Sequence, residues 1–109
     1  MNWNLSVPAG EEIYGYSQSY VSYYVLKYTD REEKKLMEFL REFETADGRE
    51  IKKEQFLQDL AVYETDIDKE QLPDFQQIDF FCKKAKGLSK LYLFYDSAGQ
   101  VLYLCQMLD

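Results

Sequence analysis

Apolar positions along this chain keep two different periods. In "YVSYYVLKYT" (20–29), Tyr20, Ser22, Tyr24, Leu26 and Tyr28 alternate with Val21, Tyr23, Val25 and Lys27. That β-branched and aromatic alternation predicts a strand. The next stretch, "TDREEKKLMEFLREFETADG", changes period: Leu36, Phe39, Leu40 and Phe43 recur at three and four, with charges on the other faces. This is the pattern of an amphipathic helix. Thr29 or Asp30 can cap it, Glu32 or Glu33 three residues on closes a capping box, and Asp47-Gly48 stops it. The same spacing predicts a second helix in "KKEQFLQDLAVYE", burying Phe56, Leu57, Leu60 and Tyr63. A third is expected in "LPDFQQIDFFCKKAKG", with Pro73 in its first turn and Gly87 at its exit. Its stripe would be Phe75, Ile78, Cys82 and Ala85, with Phe81 beside them.

A period of two returns in "KLYLFYDSAGQVLYLCQ" (90–106), a hairpin. Its "DSAG" fits a type I turn with Gly99 in the left-handed conformation. Leu91, Leu93 and Tyr95 point one way, Tyr92 and Phe94 the other. Strands apolar on both faces belong in the middle of a sheet or beneath a partner. The first nineteen residues hold Pro8, Gly10 and Gly15 and few aliphatics, so they read as a loop-rich start with room for one short strand. The expectation is a single α+β domain over residues 1–109, in the order β-α-α-α-β-β. An antiparallel sheet of three or more strands would carry about three helices packed on one face.

Charge narrows the choice of partners. Twenty acids against thirteen bases leave a net charge of −7, which repels phosphate backbones and anionic lipid surfaces. No direct nucleic-acid or membrane binding is expected. The one basic cluster, Lys83, Lys84, Lys86 and Lys90, falls where the third helix would end and would offset its dipole there. "MNWNLSVPAG" lacks the basic start and apolar run of a signal peptide, and no stretch is long enough to span a bilayer. The chain therefore reads as cytoplasmic, with Cys82 and Cys105 as buried, reduced thiols; a disulfide between them is the alternative.

Two chemical resemblances can be set against the residues. The hairpin resembles the opening of GIY-YIG nucleases: Lys90-Leu91-Tyr92 and Tyr103-Leu104-Cys105 stand for Gly-Ile-Tyr and Tyr-Ile-Gly. Both tyrosines match and both glycines are replaced. That family's catalytic arginine and metal-binding glutamate lie downstream of the hairpin, and residues 106–109 hold neither. The stretch 43–56 is similar to a calcium-binding EF-hand loop, but with Gly48 aligned, Phe43 takes a ligand position and has no oxygen to offer. "DIDKEQLPDFQQ" (66–77) has Gln71 and Gln77 where that loop needs glycine and glutamate. The absence of histidine removes the commonest general base and zinc ligand. No enzyme activity, metal or cofactor is expected.

What remains is a binding surface. Six of ten tyrosines (Tyr14, Tyr16, Tyr20, Tyr23, Tyr24, Tyr28) fall in "YGYSQSYVSYYVLKY", interleaved with serine and glycine as in antibody paratopes. Those from Tyr20 to Tyr28 divide between sheet packing and partner contact; Tyr14 and Tyr16 read as contacts. Between Asp59 and Asp79 lie seven acids and one base, Lys69, so this stretch carries −6 of the −7. Helix-dipole stabilisation accounts for Asp74 and Glu70 alone.

A small acidic chain with an aromatic patch resembles, in size and physical character, the immunity proteins and nuclease inhibitors that silence cationic enzymes. The resemblance implies a stoichiometric inhibitor of a basic toxin domain, a nuclease being one option. Asp66, Asp68, Glu70 and Asp74 would supply charge, and Tyr14, Tyr16 and Tyr20 would be anchors. The alternative is a structural or regulatory interaction module, homodimeric through the aromatic strand. An acid–base enzyme would instead require a pocket with a strongly displaced carboxyl or phenol.

Overall fold

The computed structural model describes residues 7–18, 20–42 and 49–108. Its order is β1 (Glu11–Gln18), β2 (Val21–Lys27), α1 (Asp30–Arg41), α2 (Arg49–Val62), β3 (Phe80–Lys86), β4 (Ser89–Asp96) and β5 (Val101–Met107). All strand pairs are antiparallel, in the spatial order β1-β2-β5-β4-β3.

This corrects the expected fold in three respects. The described residues hold two α-helices rather than three, their order is β-β-α-α-β-β-β rather than β-α-α-α-β-β, with five strands within the expected three or more, and the helices lie on opposite faces rather than on one. Leu36 and Leu40 of α1 are buried with Tyr28, Leu91, Leu93, Tyr95, Leu102 and Leu104. Phe56 and Leu60 of α2 are buried with Val21, Tyr23, Val25, Tyr92, Phe94 and Cys105. The reason is in the strands: β4 is apolar on both faces, so both must be covered, and one helix serves each.

The segment read as a third helix is a turn followed by β3. Phe80, Phe81 and Cys82 pair with Tyr95, Phe94 and Leu93. Gly87 does adopt a positive φ, 64°, but in a two-residue hairpin turn to Ser89 rather than at a helix exit. A glycine-first two-residue loop matches the twist of the strands it joins. Phe75 and Ile78 imitate helical spacing because both fold back from the turn onto the sheet. Phe75 lies 5.3 Å from Phe94, edge to face. The lysines accordingly line an edge hairpin and not a helix terminus. Lys83 donates to Gln55 at 2.9 Å and lies 5.6 Å above the Tyr92 ring.

Elsewhere the local chemistry matches the pattern. Thr29 accepts from the Glu32 amide, and Glu32 accepts from the Thr29 amide at 2.9 Å, closing the capping box that starts α1. The expected stop at Asp47-Gly48, the contribution of Phe43 and the first half of the EF-hand-like loop lie outside the described residues. In α2, Phe56 and Leu60 are buried as expected, whereas Leu57 is 40% exposed. The loop-rich start is in fact an eight-residue edge strand, β1, with a bulge between Glu12 and Tyr14. Bulges of this kind twist a free edge away from further pairing. In the β4–β5 turn the left-handed residue is Gln100 (φ 56°) rather than Gly99. At Gly99 a Cβ would meet the Asp96 carboxylate at 2.8 Å, so a side chain there would displace the carboxylate that accepts from the Gly99 amide.

On the α2 side one row crosses all five strands: Tyr16, Tyr23, Cys105, Tyr92 and Lys83 stand opposite one another in register. Cys105 faces α2 and Cys82 packs toward α1, so the sheet separates the two buried thiols. No helix among the described residues is long and apolar enough to cross a membrane.

Candidate partner-binding site

Helix α2 ends without a glycine. After Val62 and Tyr63, Glu64 takes a left-handed conformation (φ 50°), and its amide donates to Ala61 O at 3.3 Å. That conformation is ordinarily left to glycine or asparagine. The chain then runs without helix or strand from 65 to 68 and makes one 3-10 turn at Lys69–Gln71.

Tyrosine hydroxyls from the edge of the sheet hold this connection down. The Asp66 amide donates to the Tyr16 hydroxyl at 3.2 Å, and the Asp68 amide donates to the Tyr14 hydroxyl at 3.1 Å. Tyr23 donates its hydroxyl to Gln71 O. Tyr16 also donates to Gln18 Oε1 at 2.8 Å. Ile67, between the two pinned amides, is buried against the sheet. Its neighbours Asp66 and Asp68 are exposed.

Asp66, Asp68, Glu70 and Asp74 are all exposed, and none has an ion-pair partner among the described residues. Asp68 and Asp74 each use one carboxylate oxygen locally, accepting from the amides of Glu70 (3.0 Å) and Gln76 (3.1 Å). Five acids and one lysine between residues 64 and 74 thus share one connection.

The ends of the acidic run behave differently. Asp59 is largely enclosed: Lys90 Nζ lies 2.8 Å from Oδ1, and the Tyr92 hydroxyl donates to Oδ2 at 2.7 Å. Burial pushes its pKa up, but the hydrogen bonds from Lys90 and Tyr92 and the lysine charges outweigh this, and the pKa falls below the usual range. Asp79 accepts from the Ser97 amide at 3.0 Å and from its hydroxyl, bracing the β4–β5 turn. Asp59 is thus neutralised by a lysine of the same domain, Asp79 is exposed but set apart at the β4–β5 turn, and the acids of 64–74 form the continuous exposed stretch.

Of the aromatic candidates, Tyr14 and Tyr16 are half-buried with hydroxyls engaged in the contacts above, whereas Tyr20, in the β1–β2 turn, is 59% exposed. Tyr23 and Tyr28 are buried in the core. A cleft of 420 Å³ opens between this turn and the end of α2, lined by Tyr16, Gln18, Tyr20, Val21 and residues 62–66. It brings together Tyr16, Tyr20 and Asp66. Asp68, Glu70 and Asp74 continue along the connection outside its lining. Compared with protein-family models, with curated proteins and with solved structures, the chain matches none.

Three residues of this face were not singled out by sequence: Val62 (77% exposed), Tyr63 and Glu64. Helical periodicity assigns Tyr63 to the core and is silent on Val62. The missing glycine at the end of α2 was a legible signal for Glu64.

Other chemistry-bearing groups belong to the core. Burial, reinforced by neighbouring phenols and carboxylates, raises the pKa values of Tyr23, Tyr92 and Tyr95 well above the usual phenol value; burial and then the Asp59 charge raise that of the Cys105 thiol. Among the described residues no three carboxylates or thiols converge as they would around a metal ion.

Proposed function

We propose that this protein is a non-catalytic stoichiometric inhibitor, a cytoplasmic immunity protein that binds a basic toxin domain through its acidic, tyrosine-edged face. The observation that supports this reading is the state of Asp66, Asp68, Glu70 and Asp74. They are exposed and unpaired among the described residues, on a connection whose backbone is tied to the sheet by tyrosine hydroxyls. Charges on a held backbone lose little entropy on meeting a partner, so more of their attraction reaches the complex. Carboxylates in that position stand in for the phosphates that a nuclease-like cleft attracts, accelerating encounter and setting register. Exposed Tyr20, Val62 and Leu57 border the acids and offer apolar surface for the desolvated centre of an interface.

The test is protection. Co-expression with a basic toxin domain encoded beside it should preserve growth, and the complex should weaken as salt rises. The Asp66→Asn, Asp68→Asn, Glu70→Gln, Asp74→Asn variant should lose both protection and binding. A fourfold variant that protects as well as the wild type rejects the proposal.

The alternative is self-association. Strand β2, the aromatic strand, is hydrogen-bonded on both sides, so it offers no edge for a dimer. The free edge nearest the tyrosines is β1, where Ile13 is 49% exposed at the bulge. Sedimentation as a strict monomer excludes a homodimer formed there.

A further inference from the structure

Between the β1–β2 turn and the end of α2, the 420 Å³ cleft has two charged groups in its lining, Glu64 and Asp66, and both are negative. The negative end of the α2 dipole adds to the same sign, and α2 has no basic residue in its last turn to offset it. A charged guest in this cleft must therefore be a cation. Three rings, Tyr16, Tyr20 and Tyr63, share the lining, and this decides which cation. A guanidinium is planar, weakly hydrated and stacks on aromatic rings while forking two hydrogen bonds to a carboxylate; an ammonium is compact and holds its water. We infer that this cleft receives an arginine side chain, presented by the basic partner of the reading above, on which the inference rests.

The local backbone at Glu64 adds to the assignment. Glu64 occupies a left-handed position (φ 50°) where glycine or asparagine would be relaxed. Its carboxylate also stands at the helix end where a negative charge is least favourable. Both features disfavour glutamate for folding, and both place an acid beside the three rings. The hydroxyl of Tyr16 is already engaged with Gln18 and with the Asp66 amide, so that ring is held in position before any guest arrives. Tyr20 is the exposed ring of the three, with surface to offer a bound side chain.

The experiment uses the full chain, labelled with nitrogen-15, and three blocked tripeptides differing at one residue: arginine, lysine and citrulline. The arginine peptide should give saturable amide shifts confined to residues 16–21 and 62–66. The lysine peptide should bind at least about threefold more weakly, the loss expected when stacking on the rings is given up. Citrulline, the same shape without charge, should give none. Glu64→Gln should weaken the arginine peptide by a similar factor and leave the circular dichroism unchanged. Shifts that do not saturate, that scatter over the surface, or that are equal for arginine and citrulline overturn the assignment. If the arginine peptide fails while the fourfold acid variant still loses a toxin domain, the cleft assignment falls and the acidic-face reading stands. If the peptide binds here and no basic domain does, the cleft stands without that reading.

Discussion

The Asp68 amide donates to the Tyr14 hydroxyl at 3.1 Å, joining residues 54 apart in sequence. With the neighbouring bond from Asp66 to Tyr16, it converts an acidic connection into a fixed part of the edge of the sheet. The tyrosines contribute to the site by aiming the backbone, while the carboxylates face water.

Removing those hydroxyls should therefore loosen the connection without unfolding the domain. Each such bond is exposed and contributes about 1 kcal/mol or less. In Tyr14→Phe and Tyr16→Phe, hydrogen exchange at the Asp68 and Asp66 amides respectively should accelerate several-fold. Exchange in β4 and β5 should stay as it is. Equal acceleration in the central strands would mean that these bonds are part of global stability instead.

Glu64 should be stabilised by replacement. Glutamate in the left-handed region costs about 1 kcal/mol relative to glycine. Glu64→Gly, or Glu64→Asn, should raise the midpoint of thermal unfolding by about 4–8 °C per kcal/mol relieved. A fall in the midpoint would show that the glutamate side chain has a structural partner. Together with weakened arginine binding, a rise would mark a site where stability is given up for recognition.

The Asp59 cluster sets the acid limit. Because its pKa is lowered in the fold, the ionised form stabilises the native state fully above the ordinary carboxylate range, about 4, and that contribution is lost as pH falls below it. Asp59→Asn should flatten this part of the pH–stability curve. At neutral pH it should destabilise the protein by about 1–3 kcal/mol, since the amide keeps one oxygen to accept from Lys90 or Tyr92 and turns an NH2 donor on the other. Denaturant unfolding at several pH values measures both effects; an unchanged slope below pH 4 would assign the acid sensitivity to other carboxylates.

Alkali acts through buried phenols. Burial raises the pKa of Tyr28 to about 12, helped by Glu32, and it moves Tyr23, Tyr92, Tyr95 and Tyr103 in the same direction. The fold then favours the neutral form, so stability is complete below the ordinary phenol pKa of about 10 and declines as pH rises past it. Phenolate absorbance from these buried rings should appear together with loss of the circular dichroism of the sheet. Its appearance with the fold intact would contradict the burial of these rings.

The segment 72–87 shows where pattern reading fails. Phe75, Ile78, Cys82 and Ala85 keep helical spacing, and Gly87 ends them as a helix cap would. Yet Phe80–Lys86 pairs with β4, because Phe80, Phe81 and Cys82 find facing partners there in Tyr95, Phe94 and Leu93. Short apolar runs carry both periods, and long-range pairing decides between them. β1 was obscured for the opposite reason: its glycine and serine weaken a strand locally, but seven of its residues find partners in β2. Where the signal was strong it held, as with the capping box at Thr29 and Glu32 and the two-faced apolar strands that lie inside the sheet.

By itself the sequence determined the charge of this protein, its lack of histidine, the start of α1, the strand β2 and the hairpin β4–β5. Each depends on neighbours within a few residues, whose preferences the chain displays directly. Only the tertiary structure decided that one helix covers each face, that Asp59 is neutralised while residues 64–74 stay open, and that Tyr16, Tyr20, Tyr63 and Glu64 share a cleft. Those relationships join positions tens of residues apart. They depend on which buried surfaces and hydrogen bonds can be satisfied together, a condition that no local stretch of chain contains.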